Sequence, residues 1–259
     1  MKEIHRKALH VLGIAVCLLL ATSHGAMAQS GGANPPAMFL GVIAALGFVA
    51  IVLKFSKSSM LLRDRKPYDG LTGLSPKQHP YSLSRLQMAA WTAIVIGSYI
   101  FLAIGKQEFN VLNNDALILM GIAMATTMGA ATIDHSTPDG DSIEKAYTAA
   151  KEAQEALQTA TGDKSAAQAA FDQAQKVLKE IAPKSVNLLA DILSDANGVN
   201  LQRMQMVAWT LVIMFVFVGS VIWKLEMPTL DKELLSLMGI SNGAYVGLKI
   251  PEKQAVELP

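Results

Sequence analysis

An all-α protein with several membrane spans is the fold class this sequence predicts, on three observations. Its 259 residues are 51% hydrophobic and only 17% charged, with a mean hydropathy of +0.33, which is too apolar for an ordinary soluble domain. The apolar residues are gathered into runs long enough to cross the hydrocarbon core of a bilayer as helices. Finally, the stretch Leu83-Ser84-Arg85-Leu86-Gln87-Met88-Ala89-Ala90-Trp91-Thr92 returns 118 residues later as Leu201-Gln202-Arg203-Met204-Gln205-Met206-Val207-Ala208-Trp209-Thr210, with seven of ten positions identical. Carried forward without a gap, the same offset aligns Leu119-Met120-Gly121-Ile122 with Leu237-Met238-Gly239-Ile240, and Gly129 with Gly247. The expected architecture is two parallel two-helix transmembrane repeats with a cytoplasmic helical hairpin inserted between them.

Residues 1–28 read as a secretory signal. Lys2, Arg6 and Lys7 precede an apolar core from Ala8 to Leu20, and Ala26-Met27-Ala28 supplies a small-x-small cleavage site. The mature chain then starts near Gln29, outside the cytoplasm; the alternative is an uncleaved first membrane helix. Cys17, the single cysteine, lies inside this segment, so the mature chain is expected to carry no thiol for disulfides, catalysis or metal binding.

Residues 37–55 are the first predicted transmembrane helix. The linker 56–82 follows, and from Lys54 to Arg85 there are seven basic residues against two acidic, an excess that marks the cytoplasmic side. Pro67, Gly70, Gly73, Pro76 and Pro80 fix turns there. The first repeat copy, 83–133, supplies spans at about 86–104 and 116–133; the second, 201–251, supplies spans at about 204–223 and 234–249. Five spans place the C-terminus in the cytoplasm of a bacterial inner-membrane protein. Both copies begin at an arginine on the cytoplasmic side, so they are related by an axis along the membrane normal.

Residues 134–200 are soluble in character. Ile143, Tyr147, Ala150, Gln154 and Leu157 recur with coiled-coil-like spacing, as do Ala167, Phe171, Ala174, Leu178 and Ile181, around a break at Gly162-Asp163. After Pro183, Val186, Leu189, Ile192 and Leu193 predict a short amphipathic helix ending at Asn197-Gly198. From Asp134 to Asn200 there are 11 acidic residues against six basic. The opposite charge of the linker allows either docking of hairpin on linker or contact of the linker with anionic lipid.

Ser84 and Gln87 have the spacing of a capping box. Arg85, Gln87 and Trp91, and their counterparts Arg203, Gln205 and Trp209, are expected to anchor each repeat at the headgroup level; contact with a substrate or ion is the sharper alternative. In the following helices Gly121, Ala125 and Gly129, and Gly239, Gly243 and Gly247, put a small residue at every fourth position, which lets two backbones approach closely. The alternative there is a pore lining, because Thr126, Thr127, Ser241, Asn242 and Tyr245 bring hydroxyls and an amide to membrane depth. Asn242 is the costliest to expose to lipid and is expected to face protein or water. Ser241-Asn242-Gly243 also allows a re-entrant last segment.

Chemistry leaves little trace. Asp134-His135 with Asp139 and Asp141 reads as a polar exit turn, and Asp195-Ala196-Asn197-Gly198 lacks the later ligands of a calcium loop. Neither a phosphate loop, a zinc-type histidine pair nor a Ser-His-Asp set is visible. The expectation is therefore no enzyme, no metal, no cofactor and no nucleic-acid partner.

The segments Pro80–Met88, Asp191–Asp195, Arg203–Thr210 and Leu234–Ser241 resemble a group of bacterial integral membrane proteins of no established function. That resemblance implies an R-x-Q-M-x-x-W-T helix followed by an L-x-L-x-G-I-S helix ending in G-x-x-x-G and a lysine, here Gly243, Gly247 and Lys249. The first copy departs from it, with Ala123 and Ala131 where the second has Ser241 and Lys249. The function expected from these features is membrane assembly or scaffolding, through a homo-oligomer or through a membrane or cytosolic protein partner; the alternative is an oligomeric channel or solute pathway.

Overall fold

The computed structural model describes residues 35–58, 60–66, 68–136, 141–161, 164–195 and 198–254. The proposed signal segment, the Gly162-Asp163 break and Asn197 lie outside them. The described chain is mostly helical. The long helices are α1 (Pro35–Ser58), α3 (Leu83–Lys106), α4 (Asn114–Ser136), α8 (Leu201–Lys224) and α9 (Lys232–Gln254). Between α1 and α3 come a single helical turn, α2 (Asp69–Thr72), and two 3₁₀ turns at Met60–Leu62 and Pro76–Gln78. Between α4 and α8 come α5 (Asp141–Thr159), α6 (Ser165–Ile181), α7 (Leu188–Leu193) and a two-residue antiparallel ribbon, β1 (Ser194–Asp195) on β2 (Gly198–Val199).

Among the described residues, four helices are long and apolar enough to cross a membrane: Pro35–Phe55, Leu83–Lys106, Asn114–Ile133 and Leu201–Lys224. The fifth predicted span is corrected in character. Helix α9 has the length, but Lys232, Glu233, Ser241, Asn242 and Lys249 make it too polar to join the four. It also runs unbroken through Ser241-Asn242-Gly243, so no re-entrant turn forms there.

Helix boundaries follow local chemistry. Helices α3 and α8 each contain 24 residues, and each ends before a non-glycine residue in the left-handed region, Gln107 at φ 58° and Leu225 at φ 56°. That conformation closes a helix C-terminus and turns the chain. Asn113 starts α4 by accepting from the Ala116 amide at 3.0 Å. Ser84 lies inside α3, one residue past its start, so it does not cap the helix. A capping box does form at Ser75 and Gln78, ahead of the second 3₁₀ turn. Helix α7 stops at Leu193 and not at Asn197-Gly198, because the chain turns directly into the ribbon, with Gly198 at φ 107°.

The chain divides into two compact units. The first comprises the residues up to Lys54 with Ala90–Gly121 and Ala208–Leu237. Its core includes Met38, Trp91, Val95, Leu102, Ile213 and Phe217, and the Trp91 and Phe217 rings meet edge to face at 6.0 Å. Glycine brings α1 onto α3: a Cβ at Gly41 would lie 2.8 Å from the Phe101 carbonyl oxygen, and one at Gly105 would overlap the Met38 thioether.

The second unit comprises Phe55–Ala89, Ile122–Val207 and Met238 onward. It has two apolar clusters. Tyr68 and Leu71 of the linker pack with Ile143, Ala146, Ala150 and Leu178 of the paired helices α5 and α6 and with Ala182, which caps α6. Leu83, Ala130, Ile192, Met206 and Tyr245 form the other, drawn from α3, α4, α7, α8 and α9.

Candidate functional site

The most chemically distinctive place in the second unit is a buried polar cluster on α3, α4, α8 and α9. Apolar helices give it no water to hydrogen-bond, so each polar group must find a protein partner. Gln87 donates from Nε2 to Asn242 Oδ1 at 3.3 Å, and the two residues are 3% and 2% exposed. Gln205, which matches Gln87 at an offset of 118 in the sequence, lies with Nε2 3.5 Å from the Ser241 hydroxyl. The two glutamines, 118 residues apart, thus address adjacent residues of one helix. Thr127 Oγ1 stands 3.0 Å from the Ser84 carbonyl oxygen and 2.9 Å from that of Ala123, and Thr126 donates to the Ile122 carbonyl at 2.7 Å.

Asn242 Nδ2 is buried and has no hydrogen-bond partner among the described residues. Toward the end of α9, the Tyr245 ring carries the Arg203 guanidinium 5.5 Å from its centroid and the Lys249 ammonium at 5.8 Å. Under the repeat offset, α4 offers Ala123, Met124, Thr127 and Ala131 where α9 has Ser241, Asn242, Tyr245 and Lys249. Of these four positions, α4 keeps a polar group only at Thr127.

The residues singled out in the sequence are thus divided by the structure. Gln87, Gln205, Ser241 and Asn242 come together. Arg85 is half-buried, Gln205 is largely exposed and Trp209 is half-buried. Trp91 departs from the expected headgroup anchor, being 0% exposed in the first unit. The exposed tryptophan is Trp223, at the other end of α8, stacked edge-on against Phe215. Gly129 is packed, with its Cβ position 3.0 Å from Val246. Gly121, Gly239, Gly243 and Gly247 have nothing within 4 Å of theirs, and Ala125 is exposed.

Two polar clasps were not foreseen. Asp191 of α7 accepts from the Tyr81 amide at 3.1 Å, the Ser185 hydroxyl at 2.7 Å and the Val186 amide at 3.1 Å. In the first unit, Asn113 donates to the Pro228 carbonyl at 2.6 Å while Asp115 accepts from the Leu230 amide at 2.8 Å, which joins the two interhelical loops. An aspartate or asparagine in a loop has many local uses, and nothing in its sequence neighbourhood names a partner 110 or 115 residues away.

Chemical competence is modest. Among the described residues no group of three His, Cys, Asp or Glu side chains could hold a metal ion. His79, 4% exposed, places Nδ1 3.3 Å from Asp69 Oδ1, and Asp69 Oδ2 accepts from the Lys66 amide at 2.8 Å. That arrangement braces the linker. A groove of about 180 Å³ in the first unit, between α1, α3 and α8, is lined by carbon apart from Ser98. Compared with protein-family models, with curated proteins and with solved structures, the chain matches none.

Proposed function

We propose that this chain is a non-enzymatic assembly protein of the bacterial inner membrane, which associates with further copies or with a membrane partner through the outer face of α9. The observation that carries the reading is the reversed polarity of that helix. Ser241, Asn242, Tyr245 and Lys249 are 5%, 2%, 3% and 5% exposed, whereas Ile240, Gly243, Ala244, Gly247 and Leu248 are turned outward. A helix in water buries its apolar side. Apolar residues outside and polar ones inside suit lipid or another helix, so we take α9 as a fifth span despite its composition. Its bare glycines then offer a surface where a second backbone can approach closely.

The rest of the architecture follows this reading. The identities at an offset of 118, together with the equal lengths of α3 and α8, support two parallel copies. The basic linker assigns its end of the bundle, and the α5–α6 hairpin with it, to the cytoplasm. With the mature N-terminus outside, five spans leave the C-terminus inside.

The test is the oligomeric state of the full chain in nanodiscs of native lipid. A discrete oligomer that Gly243→Leu and Gly247→Leu disperse supports the proposal. A lone monomer from which cross-linking recovers no partner overturns it, as would leucine variants that assemble like the parent. The channel reading is weaker because Thr126, Thr127, Ser241 and Asn242 bond within the protomer, leaving Gly, Ala and Ile for a pore around the glycine face. Ion flux through reconstituted protein that changes in Asn242→Leu would restore it.

A further inference from the structure

The net positive linker and the net negative hairpin lie in the same compact unit, and apolar side chains join them. Tyr68 and Leu71 dock on Ile143, Ala146, Ala150 and Leu178 by apolar contact. Arg65 and Lys77 are exposed and Arg85 is half-buried, and among the described residues none of the three pairs with an acid. On the hairpin, Glu144, Glu152, Glu155, Asp172 and Glu180 stay exposed. These three cations are open to a further partner.

Their location says which. The segment Met60–Lys66 begins two residues after α1 ends at Ser58, and it is pinned to the residues just before α3. Arg63 bridges Tyr81 in antiparallel fashion, the Asp64 amide donates to the Pro80 carbonyl at 3.0 Å, and the Ser82 amide donates to the Leu62 carbonyl at 2.8 Å. The Arg63 guanidinium lies 4.0 Å from the Tyr81 ring centroid and donates to the His79 carbonyl. Arg65 continues one side of this pairing, Lys77 lies in the turn that leads into the other, and Arg85 stands in the first turn of α3. Leu61, 48% exposed, adds an apolar side chain to the same pinned segment. Helices α1 and α3 are both long and apolar enough to span, so the pinned segment sits where two spans meet the bilayer surface. A phosphate there meets guanidinium forks and an ammonium, charge-assisted partners that salt screens.

We propose that Arg65, Lys77 and Arg85 form a binding site for anionic phospholipid headgroups. The site is independent of the assembly reading. It requires only that α1 and α3 cross the membrane, and it gives the linker a role distinct from carrying the hairpin.

The test uses the full chain in neutral detergent, titrated separately with phosphatidylglycerol, phosphatidylcholine and soluble glycerol phosphate, with bound lipid read by native mass spectrometry. Phosphatidylglycerol is expected to bind at least about tenfold more tightly than phosphatidylcholine. At about fivefold per cation, the triple variant R65Q/K77Q/R85Q should lose that preference by up to roughly a hundredfold, while R65K/R85K keeps most of it. Equal affinity of the parent for the two lipids overturns the proposal, and so does an undiminished preference in the triple variant. Glycerol phosphate binding as tightly as phosphatidylglycerol would make a soluble phosphate the ligand and overturn the lipid assignment. A preference that persists unchanged in about 1 M salt would also overturn it, since screening then acts within about 3 Å. The salt arm needs only the unaltered chain and decides even where the triple variant fails to fold.

Discussion

Gln87 on α3 and Asn242 on α9 share a hydrogen bond of 3.3 Å between two side-chain amides that are almost wholly removed from solvent. A polar contact of this kind fixes rotation and register between two helices that have little else to distinguish one packing from another. Truncating either partner should destabilise by about 1–2 kcal/mol, since the other amide is left buried. In a double-mutant cycle of Gln87→Leu and Asn242→Leu, unfolding in mixed micelles should show a coupling of about 0.5–1.5 kcal/mol. Strict additivity would mean that the contact contributes nothing.

Glycines of opposite kind allow a second prediction. Gly41→Ala should destabilise by about 1–3 kcal/mol, because the new carbon meets a backbone oxygen that cannot move away cheaply. Gly243→Ala meets open space in the protomer and should be neutral or stabilising by up to about 1 kcal/mol, from helix propensity. Thermal unfolding of the two variants at matched detergent should rank them in that order.

Asp191 gathers three donors from the chain before α3 and the chain before α7. Asp191→Ala should cost about 2 kcal/mol, a value kept low because the site is only part-buried. Hydrogen exchange offers the local readout: the Tyr81 and Val186 amides should lose protection while those in the middle of α6 keep theirs.

Asn113 caps α4 and holds the loop between α8 and α9. Its replacement by alanine removes both functions and should cost about 1–2 kcal/mol. Limited proteolysis should then cut the loop around Glu226–Asp231 faster than in the parent. An unchanged cleavage rate would mean that other contacts hold the loop.

Tyr68, 1% exposed, is the linker's principal apolar contact with the hairpin. Tyr68→Ala should cost about 3–4 kcal/mol of the hairpin's local stability, the loss expected for a buried aromatic. The expected signature is proteolytic release of a fragment containing α5 and α6, with the membrane helices intact. Charge reversal of Lys77 should leave that release unchanged, because the docking is apolar.

Much of this was legible in the residues themselves. Runs of apolar side chains place helices at α1, α3, α4 and α8 within a few positions of their observed ends, since helix length in lipid follows from the distance to be crossed. Of the residues named from their spacing, Ile143, Ala150 and Leu178 are buried in one apolar cluster with Phe171 packed against it, and Ala146 joins them there. Composition alone does not place the fifth predicted span, α9, among the four apolar helices. Mean hydropathy counts Ser241, Asn242 and Lys249 against a helix whether they face lipid or protein, and only packing tells which way they face.

The sequence by itself determined helix positions, the charge asymmetry of the segments 54–85 and 134–200, and the identities at an offset of 118 that align Gln87 with Gln205. These depend on local composition and on spacing along the chain. Only the tertiary structure decided that Trp91 is core while Trp223 is exposed, and that Gly41 and Gly105 are packed while Gly243 and Gly247 are bare. It also decided that Gln87 pairs with a residue 155 positions away. A stripe of glycines or a repeated glutamine states what a helix face can do. Which neighbour occupies that face depends on the joint packing of all the helices, and no local spacing encodes it.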